Sequence, residues 1–171
     1  MKKLLLAFVL LAALSVPVFA DGNIRIAGSL DLGNSWNSGL GISAHAIYAP
    51  FIIDNILRVG AGATFQLPLG DVSQFAVYAS GFWYPIPTFV QDKKTAWYDR
   101  WYVKFNLGFN FPLIADSSYA SPGGGLYWGW GTGYEITDTF FAEILRGVYA
   151  WSHGGASYGY SILHLTFGAK F

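Results

Sequence analysis

A chain of 171 residues carries ten Lys/Arg against ten Asp/Glu and no cysteine, which leaves no electrostatic footprint for nucleic acid, no disulfide framework, no thiolate metal site and no lipoprotein anchor. Hydrophobic residues make up 53%, aromatic residues 19% and charged residues 12%, roughly half the charge of a soluble domain, so disorder is excluded. With 21 Gly, 14 Phe, 11 Tyr and 7 Trp in place of Ala/Glu/Lys/Leu richness, helical repeats and coiled coils are excluded too.

Lys2 and Lys3 give a positive start, Leu4 to Val16 an apolar stretch, and Val18-Phe19-Ala20 a small-residue cleavage site. Residues 1–20 therefore read as a secretory signal peptide, and residues 21–171 as one mature domain with eight Lys/Arg against ten Asp/Glu. Beyond Ala20 no apolar run reaches the ~18 residues of a spanning helix. The longest, Ala46 to Ile53, contains Pro50 and is closed by Asp54.

From Ile24 onward the hydropathy has period two. Ile24, Ile26, Leu30 and Leu32 alternate with Arg25, Ser29 and Asp31. Leu40, Ile42, Ala44, Ala46 and Tyr48 alternate with Ser43 and His45, and Leu57 to Leu67 carries Arg58, Thr64 and Gln66 on its second face. Phe75, Val77, Ala79 and Trp83 oppose Gln74, Tyr78, Ser80 and Tyr84. The clearest strand is Arg100–Phe111: Trp101, Val103, Phe105, Leu107, Phe109 and Phe111 oppose Arg100, Tyr102, Lys104, Asn106, Gly108 and Asn110. Leu126 to Ile136 sets Trp128, Trp130 and Tyr134 against Gly129, Gly131, Gly133 and Glu135. Phe140 to His153 is strand-like with an ambiguous register, because Glu143 and Arg146 fall on opposite faces. Leu163, Leu165, Phe167, Ala169 and Phe171 close the series against His164, Thr166, Gly168 and Lys170. Between the strands lie turn-forming and loop compositions such as Gly33-Asn34-Ser35, Pro68 to Asp71, Pro112 to Gly124 and Gly154-Gly155.

Eight such strands, apolar on one face and polar on the other, predict an all-β, up-and-down antiparallel transmembrane β-barrel in a bacterial outer membrane. A secreted soluble ligand-binding barrel would carry more charge on its outward face; here the polar faces are rich in Gly, Ser, Thr and Tyr. The ending Leu165-Thr166-Phe167-Gly168-Ala169-Lys170-Phe171 resembles the final strand of small outer-membrane proteins of the OmpX/OmpA barrel type. The resemblance implies that Phe171 is the signal read by the outer-membrane assembly machinery, and that both termini face the periplasm. Lipid is then the surrounding partner, and the barrel is expected to be a monomer. Pro85 to Asp99 fits that orientation badly, being long for a periplasmic turn.

An eight-stranded barrel fills its lumen with side chains. The inward charges are expected to pair, as a network of Arg58, Arg100, Lys104, Glu135 and Glu143 in the periplasmic half. No histidine pair has metal-ligand spacing, and no cofactor or catalytic set is assigned. Outer-membrane lipid A deacylases resemble this chain in size, but their His and Ser lie two apart with a downstream Glu. Here Ser157 comes four residues after His153 and is expected in a loop, and Glu143 precedes it. The expected function is therefore non-enzymatic, structural or a surface interaction through loops Gly33–Gly39 and Pro112–Gly124. A lipid A-modifying hydrolase, a small-solute channel and a soluble barrel are the alternatives.

Overall fold

A computed structural model of the chain describes residues 24–33, 40–53, 56–68, 72–85, 100–114, 123–153 and 156–171. Eight strands run in chain order: β1 Ile24–Gly33, β2 Leu40–Ile53, β3 Leu57–Pro68, β4 Val72–Trp83, β5 Trp101–Ile114, β6 Gly125–Glu135, β7 Phe140–His153 and β8 Ala156–Lys170. Each pairs antiparallel with the next, and β8 pairs back onto β1 to close the barrel. Reciprocal backbone hydrogen bonds between Ile24 and Phe171 (3.0 and 2.8 Å) bring the two ends of the described chain together at one end.

The alternation in sequence becomes an inside-out barrel. On β5, Phe105, Leu107 and Phe109 are more than half exposed, whereas Tyr102, Lys104, Asn106 and Asn110 are buried in the lumen. Burying a polar face while exposing a continuous apolar one is unfavourable in water and favourable in hydrocarbon, where closure also leaves no strand edge unpaired. The line of paired residues from Ile24 via Tyr48, Ala61, Ala79, Leu107, Trp128 and Val148 leads to Ser161, one residue beyond the Gly33–Ile162 pair. One circuit thus climbs about ten residues, a stagger that comes with the strand tilt of roughly 35–45° in closed barrels.

Two local features adjust this frame. The pairing of β2 with β3 shifts between Tyr48 and Phe51, a bulge that accommodates Pro50. Gly60 lies against the bulge, where a Cβ would run into the backbone of Tyr48 and Ala49. Strand β7 resolves its own register: Glu143 points inward and is buried, and Arg146 is exposed on the outer face.

Several sequence boundaries need correction. Gly33 belongs to β1, and Pro112 lies inside β5, opposite Gln74. Past Asn110 the strand has run out of its β6 ladder, an edge stretch where proline is tolerated. Ser157 lies on β8, paired with Ser152, and not in a loop. The signal peptide, the remainder of the two loops (34–39 and 115–122) and segment 86–99 lie outside the described residues, as does the side chain of His153.

Candidate functional site in the barrel lumen

The inward residues form three layers. The layer nearest the termini is ionic. Arg25 of β1 reaches across to β6 and donates from Nη2 to Glu135 Oε1 at 2.8 Å, with its Nη1 3.8 Å from Glu143 Oε1. Lys104 of β5 pairs with Glu143 Oε2 at 2.6 Å, and Lys170 of β8 with Glu135 Oε2 at 2.7 Å. Tyr84 accepts from Arg25 (2.9 Å) and donates to Glu135 (2.7 Å), while Tyr102 donates to Glu143 Oε1 (2.7 Å). The Arg25 guanidinium also lies over the rings of Phe82 and Tyr102, 4.3 and 4.8 Å from their centroids. Charges this deep persist only when paired and hydrogen-bonded, and here both carboxylates have cations on them.

The structure brings Lys104, Glu135 and Glu143, all expected from sequence, into one network. It adds Arg25 and Lys170. Arg25 joins the two carboxylates, whereas Arg100 pairs outside this layer. Arg58 is half-buried lower on β3, opposite Phe82 in the ladder. Arg100 lies at the rim, 3.8 Å from the exposed Asp138, and donates to the backbone oxygen of Ile136 at 3.0 Å. The physical reason is position along the strand. Arg100 precedes β5 by one residue, so it caps the 136–139 turn instead of entering the lumen.

The middle layer is aromatic. Tyr78 of β4, Tyr127 of β6, Tyr149 of β7 and Tyr160 of β8 stack in sequence, with centroid separations of 5.2, 4.8 and 5.4 Å. Strands β4 and β8 stand opposite each other in an eight-stranded barrel, so this stack crosses the lumen. Ser80 Oγ donates to Asn106 Oδ1 (2.8 Å), and Asn106 Nδ2 to the Tyr127 hydroxyl (3.3 Å). The glycine face of β6 makes room for these rings. A Cβ on Gly133 would collide with the Tyr102 ring, and one on Gly129 would press on the Tyr127 hydroxyl at 3.2 Å.

The third layer lies toward the far end and was not anticipated as a unit. Asp31 of β1 accepts from Ser29 Oγ (2.8 Å) and from Ser43 Oγ, and its Oδ1 is 2.6 Å from His164 Nδ1. With the His164 proton on Nδ1, its Nε2 accepts from the Tyr149 hydroxyl at 3.1 Å, and His45 Nε2 donates to Ser29 Oγ at 2.9 Å. The inward charges are therefore not confined to the half nearest the termini, because Asp31 lies beyond them. Its alternation with Leu30 and Leu32 already marked it as inward. No sequence signal joins it to His164, 133 residues away.

An acid–histidine pair is a general-base arrangement in an open cleft. Here His164 and Tyr149 are wholly buried, so the pair holds the wall together and presents nothing to a substrate. Among the described residues no cluster of three His, Asp or Glu side chains is placed to hold a metal ion.

No family model matches the chain, and no curated protein is similar to it in sequence. Solved structures are similar in fold. The N-terminal β-barrel domain of Pseudomonas aeruginosa OprF superposes with a TM-score of 0.55 at 14% identity, over 86% of this chain and 96% of that one. Neisserial surface protein A gives 0.56 at 14% identity, over 86% and 94%. The fold is that of the small outer-membrane β-barrels. Ail, the attachment invasion locus protein of Yersinia pestis, solved with the heparin analogue sucrose octasulfate, has a TM-score of 0.50 at 10% identity, over 86% and 96%. An outer-membrane barrel of this size turns its apolar face to lipid, and the belt from Trp101 and Trp83 up to Phe111 and Leu126 is apolar and exposed in the same way.

Proposed function

We propose that this chain is a non-enzymatic outer-membrane barrel whose lumen is plugged, and that its task lies on its surface, in the loops around residues 34–39 and 115–122. The observation that carries the reading is the three-layered lumen. Ion pairs span from β1 to β6 and from β5 to β7, and a tyrosine stack spans from β4 to β8. A solute would have to break buried ion pairs and part the ring stack. Monomer state, recognition of Phe171 by the assembly machinery, and cleavage after Ala20 belong to the same reading.

The loop role is supported by composition: Asp116, Ser117, Ser118, Tyr119 and Ser121 mix polar and aromatic groups as adaptable contact surfaces do. Ail, an attachment protein by its name and bound to a heparin analogue in its structure, is a fold neighbour. Two measurements test the proposal. Membrane fractionation followed by heat-modifiable gel mobility should place a folded barrel in the outer-membrane fraction. Planar-bilayer recording should give no steady conductance. A soluble, non-heat-modifiable protein or a stable channel of uniform conductance would overturn it.

A further inference from the structure

Among the described residues, Arg146 is the one charged side chain on the outward face of the apolar belt. On β7 it stands between Ile144, 52% exposed, and Val148, and it is paired across to Trp130 on β6 and Leu163 on β8. A cation on the lipid face is destabilising, the more so the nearer it lies to the bilayer midplane. Its side chain, however, does not stay at the level of its backbone. Nη2 of Arg146 donates to Ser161 Oγ at 3.4 Å.

Ser161 marks a boundary. From Phe171 to Leu163 the outward residues of β8 are apolar, and at Ser161 and Gly159 they become small and polar. The step from Phe171 up to Ser161, at about 3.3 Å per residue and a tilt of about 40°, rises roughly 25 Å, the height of a barrel's apolar band. The Arg146 stem thus runs along the belt and delivers its guanidinium to the edge remote from the termini, beside the Ser161 hydroxyl.

We infer that Arg146 and Ser161 form a lipid-facing binding site for a phosphorylated headgroup of the outer leaflet. A guanidinium at the headgroup level presents a fork that matches phosphate oxygens, and the serine hydroxyl adds a donor next to it. Charge complementarity favours this occupant over a second copy of the chain. No acidic side chain faces outward in the described belt, so a neighbouring copy packed there offers no counter-charge to Arg146. The mature chain has more acidic than basic residues, so Arg146 is also not a fragment of a general basic surface.

The inference rests on the outer-membrane reading, and the experiment separates the two. The mature chain and its Arg146→Gln and Arg146→Lys variants are folded into phosphatidylcholine nanodiscs doped with diphosphorylated lipid A or with its dephosphorylated form. Heat-modifiable mobility is scored first, and retained lipid is then counted by native mass spectrometry. The wild type should retain the phosphorylated lipid about tenfold better than the dephosphorylated one, the worth of a charge-assisted hydrogen bond. Arg146→Gln should fold equally well and lose the preference, Arg146→Lys should keep part of it, and excess inorganic phosphate should not displace the lipid. Equal retention of the two lipids, a preference that survives in Arg146→Gln, displacement by inorganic phosphate, or two-chain complexes lost on substitution would each overturn the site. A wild type that never inserts would overturn the membrane reading, and this site with it.

Discussion

Glu135→Gln is the sharpest perturbation of the ionic layer. Glu135 is 1% exposed, and its two oxygens serve Arg25 (2.8 Å), Tyr84 (2.7 Å) and Lys170 (2.7 Å). Glutamine keeps one acceptor and turns an amide NH2 toward the other side, so a donor faces either Lys170 or the Arg25–Tyr84 pair. Removing one partner of a buried ion pair costs about 3–5 kcal/mol, because the remaining charge is left uncompensated. Glu143, 3.8 Å from Arg25, offsets part of this, so the expected loss is about 3 kcal/mol, the lower end of that range. The assay is urea unfolding of the barrel refolded into lipid vesicles, monitored by tryptophan fluorescence. Asp138→Asn is the control: Asp138 is 90% exposed and only 3.8 Å from Arg100, so its removal should stay within about 0.5 kcal/mol. Adding Lys170→Met to Glu135→Gln removes the cation that pairs with Glu135 at 2.7 Å, so the two losses should be less than additive. An unfolding midpoint for Glu135→Gln no lower than that of Asp138→Asn would refute the reasoning.

Gly133→Leu drives a side chain into the Tyr102 ring and should cost about 1–3 kcal/mol by overpacking, read as a lower fraction of the heat-modifiable folded band; an unchanged fraction would show the ring is free to move. Asp31→Asn weakens the bonds from Ser29, Ser43 and His164 to an ionised acceptor and should lower stability by about 2–3 kcal/mol in the same urea titration, whereas a wild-type midpoint would show that the third layer is not cohesive. Deleting Phe171 should reduce the amount of folded protein recovered from outer membranes of expressing cells, and normal levels would remove its role as the assembly signal.

The strands were legible because an apolar outer face and a polar lumen impose a two-residue period with few exceptions. On β5 every second residue from Trp101 to Phe111 is large and apolar, so its faces can be read directly. The lumen was legible only in part, because an inward position does not fix a partner. Arg25, Arg58 and Arg100 all carried the same signal. Where each lies relative to the carboxylates depends on the stagger of about ten residues around the barrel, a property of closure that no single strand encodes. The Asp31–His164 pair was hidden for the same reason, since β1 and β8 meet only once the barrel closes. Arg146 was visible as an anomaly in β7. Its meaning came from the Ser161 contact, which required the register of β8.

Because the chain has no native cysteine, the central claim of an inside-out barrel in lipid can be tested one residue at a time along β5. Spin labels placed singly at positions 105 to 110 in the vesicle-reconstituted protein report collisions with oxygen, which concentrates in the bilayer, and with a water-soluble nickel chelate. Labels at 105, 107 and 109 should collide freely with oxygen and hardly at all with nickel, while those at 106 and 110 collide weakly with both. Outward labels that are open to nickel, or collision rates without the two-residue alternation, would contradict the account.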